Sequence, residues 1–342
     1  MTKHYATLKD VAKLAKTTAA TVSYVLNDSK GRYISAEMRE KVLNAAKTLN
    51  YIKSSAASSL RGKQRKMIAV LVPQYSNQFF TNLILAVENI ANTYGYILSI
   101  CNTFDDPDRE KDVIQRMQQQ RMDGYIIIPT KKGNENTEQL RKMEIPMVIV
   151  DRSLDDVENY NRVSTNNYQC SYVGVNHLIE KGHEKIAFVG WESGVTDLIC
   201  REKAYIDAII KNKINIENKF IFNDSLDPDS GYKMTKNIIE NHKEITAIFY
   251  AYNIQALGGI KYLKEDNIKI GEDISLVMIG TPDWAIVENF TCIDQKAYDL
   301  GRIAAEMIFN GINSEKKSKH ECIIQDCALI EGNSVKNINK KI

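Results

Sequence analysis

The chain has 342 residues, is 44% hydrophobic and carries 45 Lys+Arg against 43 Asp+Glu, a net charge of +2. That length and apolar content predict more than one domain, while no stretch approaches the roughly 18 consecutive apolar residues of a membrane helix. The opening MTKHYATLKD lacks the apolar core of a signal peptide, and the six cysteines (Cys101, Cys170, Cys200, Cys292, Cys322, Cys327) have neither CxxC nor zinc spacing. A cytoplasmic protein with reduced, structural thiols is expected.

The first predicted helix starts at Leu8, capped by Thr7, whose hydroxyl stands three residues before Asp10. Val11, Leu14 and Ala15 form its inner face. After a break at Lys16-Thr17, Thr18 caps a second helix that turns Val22, Val25 and Leu26 inward. A third pattern, from Ser35 to Leu49, presents Val42, Ala45, Ala46 and Leu49 to the other two. Together they read as a helix-turn-helix bundle. The following stretch from Ser54 to Leu60, SSAASSL, is far shorter than the roughly 12 to 15 residues an isolated helix needs, so it should fold only when supported.

From Met67 onward the pattern changes to short apolar runs separated by helical stretches. The runs are IAVLV (68–72), ILSIC (97–101), YIIIP (125–129), MVIV (147–150), IAFV (186–189), AIFY (247–250) and ISLVMI (274–279). Between them, Phe79 to Tyr94, Asp108 to Arg121, Tyr168 to Lys181 and Ile254 to Asp266 have helical spacing. Such alternation predicts parallel sheets covered by helices on both faces. Ligands of open α/β sheets sit beyond the carboxyl ends of the strands, so the loops after these runs are the candidate binding loops. The KNINKK tail reads as disordered.

Charge is unevenly placed along the chain. Residues 1–66 hold 14 Lys+Arg against 4 Asp+Glu, net +10, and the remainder holds 31 against 39, net −8. A basic head is the electrostatic footprint of DNA binding; a merely solvated basic face is the alternative. No GxxxxGK loop, HExxH or nucleophile elbow occurs, and His4, His177, His183, His242 and His320 lack metal spacing, so neither enzymatic activity nor a cofactor is expected. His183, in the turn before a strand, is read as structural.

The segment TLKDVAKLAKTTAATVSYVLN, with LNY and SLRGK after it, resembles the head of the LacI/GalR family of bacterial transcriptional regulators, which typically reads T-x-x-D-V-A-x-x-A-G-V-S-x-x-T-V-S-R-V-L-N. The likeness continues through IAVLVPQYSNQFF, DGYIIIPT, IPMVIVDR, HLIEKGHEKIAFVG, AIFYAYNIQALGGIKYL and GEDISLVMIG. It implies an N-terminal all-α helix-turn-helix head plus an α/β periplasmic-binding-protein-like body of two doubly wound parallel-sheet lobes. The head would span 1–53 and the hinge 54–66. One lobe would comprise 67–163 plus 295–323 and the other 164–294 plus 324–342, with crossings near Ser164, Asp294 and Ile324. The function implied is a repressor that binds a near-palindromic operator as a homodimer, or as a tetramer. A small molecule between the lobes, sugar-like by the family's habit, would modulate it. A protein corepressor or a solute-binding role are the alternatives.

In a helix-turn-helix, the start of the second helix reaches base edges. Ala19, Ala20 and Tyr24 hold the reading positions. Neither alanine donates a hydrogen bond, so apolar contact with thymine methyls is the available chemistry. Tyr24 stands where the family usually has arginine; packing on the head's own surface is its other reading. Thr18, Thr21, Ser23 and Asn27 are expected on phosphates, and Thr7 joins the DNA-binding set. Lys16 replaces a common turn glycine. Leu60 matches the family's leucine wedge in the minor groove and Ala57 the small residue beside it, although Lys53 and Ser54 depart from the usual proline and asparagine. For the effector, Asp151, Arg201 (at the start of a helix, in REKAY) and Asn253 match family contacts. Tyr75, Phe79 and Phe80 offer aromatic surface, and Trp284 a stacking ring. The plainer readings are that Phe80 is core, that Asp151 pairs with Arg152 or Lys185, and that Arg201 forms an interlobe salt bridge. Where the family carries N-D and G-F-D-D, this chain has Asn253-Ile254 and Met278-Ile279-Gly280-Thr281. A carboxylate is therefore missing, for which Asp283 is the candidate replacement.

Overall fold

The computed structural model describes residues 5–27, 33–52, 64–155, 157–191, 196–215, 218–314 and 319–339. The stretch 53–63, with Ala57 and Leu60, lies outside them. The chain forms two compact units, Met1–Arg65 and Lys66–Ile342.

In the first unit, helix α1 (Leu8–Leu14) carries a capping box: the Thr7 N–H donates to Asp10 Oδ2 at 2.8 Å, and the Asp10 N–H to Thr7 Oγ at 3.3 Å. Helix α2 (Ala19–Leu26) is capped by Thr18, which accepts from the Thr21 N–H at 3.1 Å. Helix α3 (Ala36–Thr48) is capped by Ser35. Val11, Ala12, Ala15, Val22, Val25, Val42 and Ala45 make the core. Leu14, expected inside, is 49% exposed. The 3.6-residue stripe that begins at Leu8 runs through 11, 12 and 15, which puts Ala12 in the inner place and Leu14 off the face.

Lys16 closes the turn between α1 and α2 with φ +53, a left-handed conformation that strains any residue with a Cβ. Replacing Lys16 with glycine is expected to stabilise the head by about 1 kcal/mol, read from urea unfolding followed by a head-specific probe. A loss of stability would show that the lysine side chain supplies more than the strain removes.

The second unit contains two six-stranded sheets, in the orders β11-β5-β4-β3-β1-β2 and β12-β10-β9-β8-β6-β7. The first is built from β1 (Met67–Val72), β2 (Ile97–Asn102), β3 (Gly124–Ile127), β4 (Met147–Val150), β5 (Asn161–Thr165) and β11 (Cys322–Gln325), with α4 (Gln78–Thr93), α5 (Pro107–Gln119), α6 (Gly133–Lys142) and, from the far end of the chain, α12 (Ala297–Asn313). The second is built from β6 (Ile186–Gly190), β7 (Ile221–Asn223), β8 (Ala247–Tyr250), β9 (Ser275–Ile279), β10 (Thr291–Asp294) and β12 (Ala328–Ile330), with α7 (Asn167–Glu180), α8 (Thr196–Lys211), α9 (Pro228–Asn241), α10 (Asn253–Glu265) and the short α11 (Asp283–Val287). In β1, Ile68, Val70 and Val72 enter one core and Ala69 and Leu71 another. Both faces are thus buried, which is why parallel strands of this kind read as unbroken apolar runs.

The chain crosses between sheets after Thr165, after Asp294 and after Gln325. The first and third crossings fall one or two residues beyond the expected 163/164 and 323/324 boundaries, because Thr165 and Gln325 still pair in parallel. One strand departs from the expected parallel order: β12 runs antiparallel to β10, since the chain re-enters the second sheet from the neighbouring lobe. The tail also departs from expectation. Through Asn339 it docks on the second lobe, with the Ile338 N–H donating to Lys181 O at 2.8 Å and the Asn339 amide to Glu180 O at 2.7 Å. Buried His183 joins it to the sheet, bonding Thr246 Oγ at 2.8 Å and Lys336 O at 3.0 Å.

Candidate functional site

The carboxyl ends of both sheets face a cleft that holds a cavity of about 400 Å³, in the range of small-ligand pockets. Each wall is set by a strand end or a helix start. After β1, Asn77 caps α4 by accepting from the Phe79 N–H at 3.1 Å. Phe79 and Phe80 follow with ring centroids 5.2 Å apart, edge to face. Phe80 is 7% exposed and belongs to the core of the first sheet while also lining the cavity, so both readings of it hold. After β4, Asp151 is buried with φ +66, a strained backbone for a residue with a side chain.

Arg152, beside it, is gripped through Asp105: Nη1 donates to Oδ1 at 2.5 Å and Nη2 to Oδ2 at 3.2 Å, with a further bond from Nη1 to Pro129 O at 3.1 Å. Burial disfavours the Arg152 charge, but the Asp105 carboxylate outweighs it and holds the guanidinium protonated.

The second lobe supplies the opposite wall. Arg201 lies within α8 rather than at its start. It is 4% exposed; its Nε and Nη2 donate to Asn167 Oδ1 at 2.9 and 2.7 Å, and its Nη1 to Ala251 O at 2.5 Å. The guanidinium lies 4.6 Å from the Tyr252 ring centroid, a cation–π contact strengthened by desolvation, and Trp191 meets the same ring edge-on at 6.0 Å. Burial pushes the Tyr252 phenol up, with Arg201 and then Arg152 pulling the other way. No interlobe salt bridge is recorded for Arg201 among the described residues; its bonds stay within the second lobe. Asn253 opens α10 and reaches Asn77 Oδ1 at 3.5 Å across the cleft. Gln295, at the second crossing, adds an amide.

Of the expected effector residues, Phe79, Phe80, Asp151, Arg201 and Asn253 line this cavity. The others do not. Tyr75 is 44% exposed and donates to Ile100 O at 3.0 Å. Asp283 latches the lobes instead, taking the Gln78 amide on Oδ1 at 2.6 Å and returning its own N–H to Gln78 Oε1 at 2.8 Å. Trp284 packs on the core of the second sheet beside Phe290, because α11 turns its ring inward. Asp283 does not line this cavity. Asp294 lines an adjoining cavity of about 300 Å³ with Thr281, Gln295 and Lys296. Asn77, Arg152, Trp191, Tyr252 and Gln295 are lining residues that sequence reading missed.

On the head, Ala20 is exposed at the start of α2 and Ala19 packs partly on the core. Thr7 and Thr18 are committed as caps. Thr21 Oγ lies 3.0 Å from Thr18 Oγ. The Asn27 amide donates to Ser23 O at 2.6 Å and to Ser23 Oγ at 3.1 Å, and Tyr24 is half-buried.

A helix-turn-helix unit followed by two doubly wound sheets around a cleft defines a class: DNA-binding regulators with a periplasmic-binding-protein-like body. Comparison with known proteins agrees. Residues 7–54 match the bacterial regulatory proteins of the lacI family, and residues 175–335 a periplasmic binding protein-like domain. The chain is 34% identical to the ribose operon repressor of Halalkalibacterium halodurans over 91% of each chain. It is 31% identical to the HTH-type transcriptional repressor PurR of Histophilus somni, over 97% of this chain and 100% of that one. In fold it resembles the lac repressor dimer bound to operator and the anti-inducer ONPF, with a TM-score of 0.80, 23% identity and coverage of 97% and 100% of the two chains. A LacI family regulator from Enterococcus faecium with bound ribose aligns with a TM-score of 0.69 and 22% identity, over 80% of this chain and 100% of that one. The chain belongs to the lacI family of DNA-binding repressors, and its relatives are repressors, not enzymes.

Proposed function

We propose that this repressor binds a near-palindromic operator as a dimer in the cytoplasm, and that a neutral, hydroxyl-rich molecule of monosaccharide size in the interlobe cleft sets its affinity. The charge balance of the cavity carries this reading. Its two arginines are matched by two carboxylates, Asp105 and Asp151, while amides from Gln74, Asn77, Asn253 and Gln295 surround aromatic faces. Partly buried amides and a planar guanidinium suit hydroxyl groups, and the rings suit the apolar face of a sugar. A volume of about 400 Å³ suits a small molecule rather than a protein corepressor. Relatives that include a ribose operon repressor support the same class.

On DNA, Ala20 would meet a thymine methyl and Tyr24 a base edge. Ala19, Thr21, Ser23 and Asn27 would support the same helix. Leu60 would wedge into the minor groove beside Ala57, as hinge residues that kink DNA do. An effector shifts operator affinity by its preference between lobe arrangements, typically about 5- to 150-fold.

The test begins by selecting operators from random duplexes and screening pentoses, hexoses, their phosphates and nucleosides by thermal shift. Operator binding is then measured with each hit. A neutral pentose or hexose should shift both melting and operator affinity; response to nucleosides alone, or to charged sugar phosphates alone, would overturn the proposed class. Leu60→Ala should lose about 10- to 100-fold in operator affinity with little change in nonspecific binding, whereas an equal loss of both would remove the wedge.

A further inference from the structure

One wall of the cleft pairs its own charges before any ligand arrives. Asp105 stands in the loop between β2 and α5, and its carboxylate accepts from both ends of the Arg152 fork, from Nη1 at 2.5 Å and from Nη2 at 3.2 Å. The two side chains, 31% and 5% exposed, both line the cavity. Nε of Arg152 is buried without a partner, so the Nη1–Nη2 edge is the one open to bidentate pairing. Asp105 occupies it.

The loop is built to hold that carboxylate in place. Phe104 and Asp105 lie successively in the left-handed region, at φ +54 and +57, a conformation that strains residues with a Cβ. Asn102 fixes the turn: its Oδ1 accepts from the Phe104 N–H at 2.8 Å and its carbonyl from Arg109 Nε at 2.8 Å, while the Arg109 guanidinium lies 4.7 Å from the Phe104 ring centroid. The next residue, Asp106, spends its own carboxylate on the N–H groups of Asp108 and Arg109 at the start of α5. Consecutive aspartates thus cover the two features that commonly bind phosphate, an arginine fork and a helix N-terminus.

We propose that Asp105 is a specificity-determining residue: it occupies the Arg152 fork and so excludes phosphorylated and other anionic ligands from the cleft. This role rests on the effector's being neutral, as proposed above, and names the side chain that enforces it. The charged groups lining the cavity are Asp105, Asp151, Arg152 and Arg201, whose formal charges cancel. A phosphate ester brings about −1.5 to −2 and must displace a rigidly held carboxylate from a buried arginine, where like charges repel more strongly than in water. A neutral hydroxyl meets no such penalty. Asparagine at 105 keeps the size and one oxygen for Arg152 but removes the charge, which leaves the lining at a formal +1 and frees a donor of the fork.

The test is calorimetry on the full-length protein with ribose and glucose, each against its terminal phosphate ester, and with inorganic phosphate alone. The unmodified chain should bind a free sugar and reject both its ester and inorganic phosphate. Asp105→Asn should shift the ratio toward the ester by at least about 10-fold, the worth of one hydrogen bond to a charged partner. Adding Arg152→Gln should abolish that gain. A loosened loop would weaken both members of a pair alike, so the ratio separates charge from structure. An unchanged ratio in Asp105→Asn, with a free sugar still bound by the unmodified chain, overturns the role of Asp105 and leaves the neutral effector standing. Preference of the unmodified chain for an ester overturns both. If no free sugar binds, inorganic phosphate decides: gained in Asp105→Asn and refused by the unmodified chain, it upholds Asp105 while the neutral sugar falls, and without that gain both fall. Should Asp105→Asn not fold, Asp105→Ser carries the same comparison.

Discussion

Arg201→Ala is expected to abolish the thermal-shift response to the cleft ligand, weakening binding by about 100-fold or more. The guanidinium presents five donors, of which three are spent on Asn167 Oδ1 and the Ala251 carbonyl. Those bonds and the Tyr252 ring at 4.6 Å lock its plane, so on the proposed function the remaining donors would meet a ligand with little ordering to be done. A hydrogen bond to a charged group contributes about 1.5–3 kcal/mol, and two such bonds lost together account for the expected fold-change. Alanine also strips Asn167 and Ala251 of a buried donor, at about 1–3 kcal/mol for each group left unsatisfied. Binding must therefore be measured by calorimetry well below the lowered melting temperature. Arg201→Lys separates charge from shape: it keeps the cation but not the fixed fork, and should recover stability more than affinity. Unchanged affinity in Arg201→Ala would remove Arg201 from the site.

Gly258→Ala is expected to destabilise the second lobe by about 3–5 kcal/mol, beyond the 1–3 typical of overpacking, although alanine is the better helix former by about 1 kcal/mol. The reason is the crossing of α9 and α10. A Cβ on Gly258 would stand 1.7 Å from Pro228 O and 2.9 Å from Tyr232 N, and one on Gly231 of the facing helix 2.0 Å from Gln255 O. These are backbone atoms, so no side-chain rotation relieves the overlap and the helices must separate. Gln255, buried in that contact, donates to Gly190 O at 2.7 Å and Ser225 O at 3.0 Å. Separation would therefore also disturb the loops at Trp191 and Ser225, which line the cleft. Gly311→Ala in α12 is the control: its nearest neighbour is Pro146 Cβ at 3.6 Å, so propensity should prevail there with a gain of about 0.5–1 kcal/mol. Urea unfolding of both variants measures the contrast, and equal effects would mean that the helices adjust freely.

Legibility followed local chemistry. The interior strands β1, β3, β4, β6, β8 and β9 were readable because burial on both faces demands continuous apolar residues, as in MVIV or AIFY. The interior strands β5 (NRVST) and β10 (TCID), which mix polar residues into the run, and the edge strands β7 (IFN), β11 (CIIQ) and β12 (ALI), whose three or four residues carry too short a pattern, were not. Helix α6, GNENTEQLRK, buries only Gly133, Thr137 and Leu140, too sparse an apolar stripe to stand out. In the cleft, the missed residues share one rule: Trp191 follows β6, Tyr252 follows β8 and Gln295 follows β10. Applying the strand-end principle to every predicted strand, rather than to those matched by resemblance, would have found Trp191 and Tyr252; Gln295 follows β10, a strand too polar to be predicted.

The opening charge and capping pattern determined the head unaided: Thr7, Thr18 and Ser35 cap its helices within three residues of their own backbone partners, so nothing distant is needed to specify them. Tertiary structure alone decided how the cleft is partnered. That Arg152 grips Asp105, 47 residues away, and that Asp283 latches to Gln78, 205 residues away, rather than facing a ligand depends on where two sheets bring their strand ends. Such partners are chosen by the geometry of the crossings, which no local pattern of residues encodes.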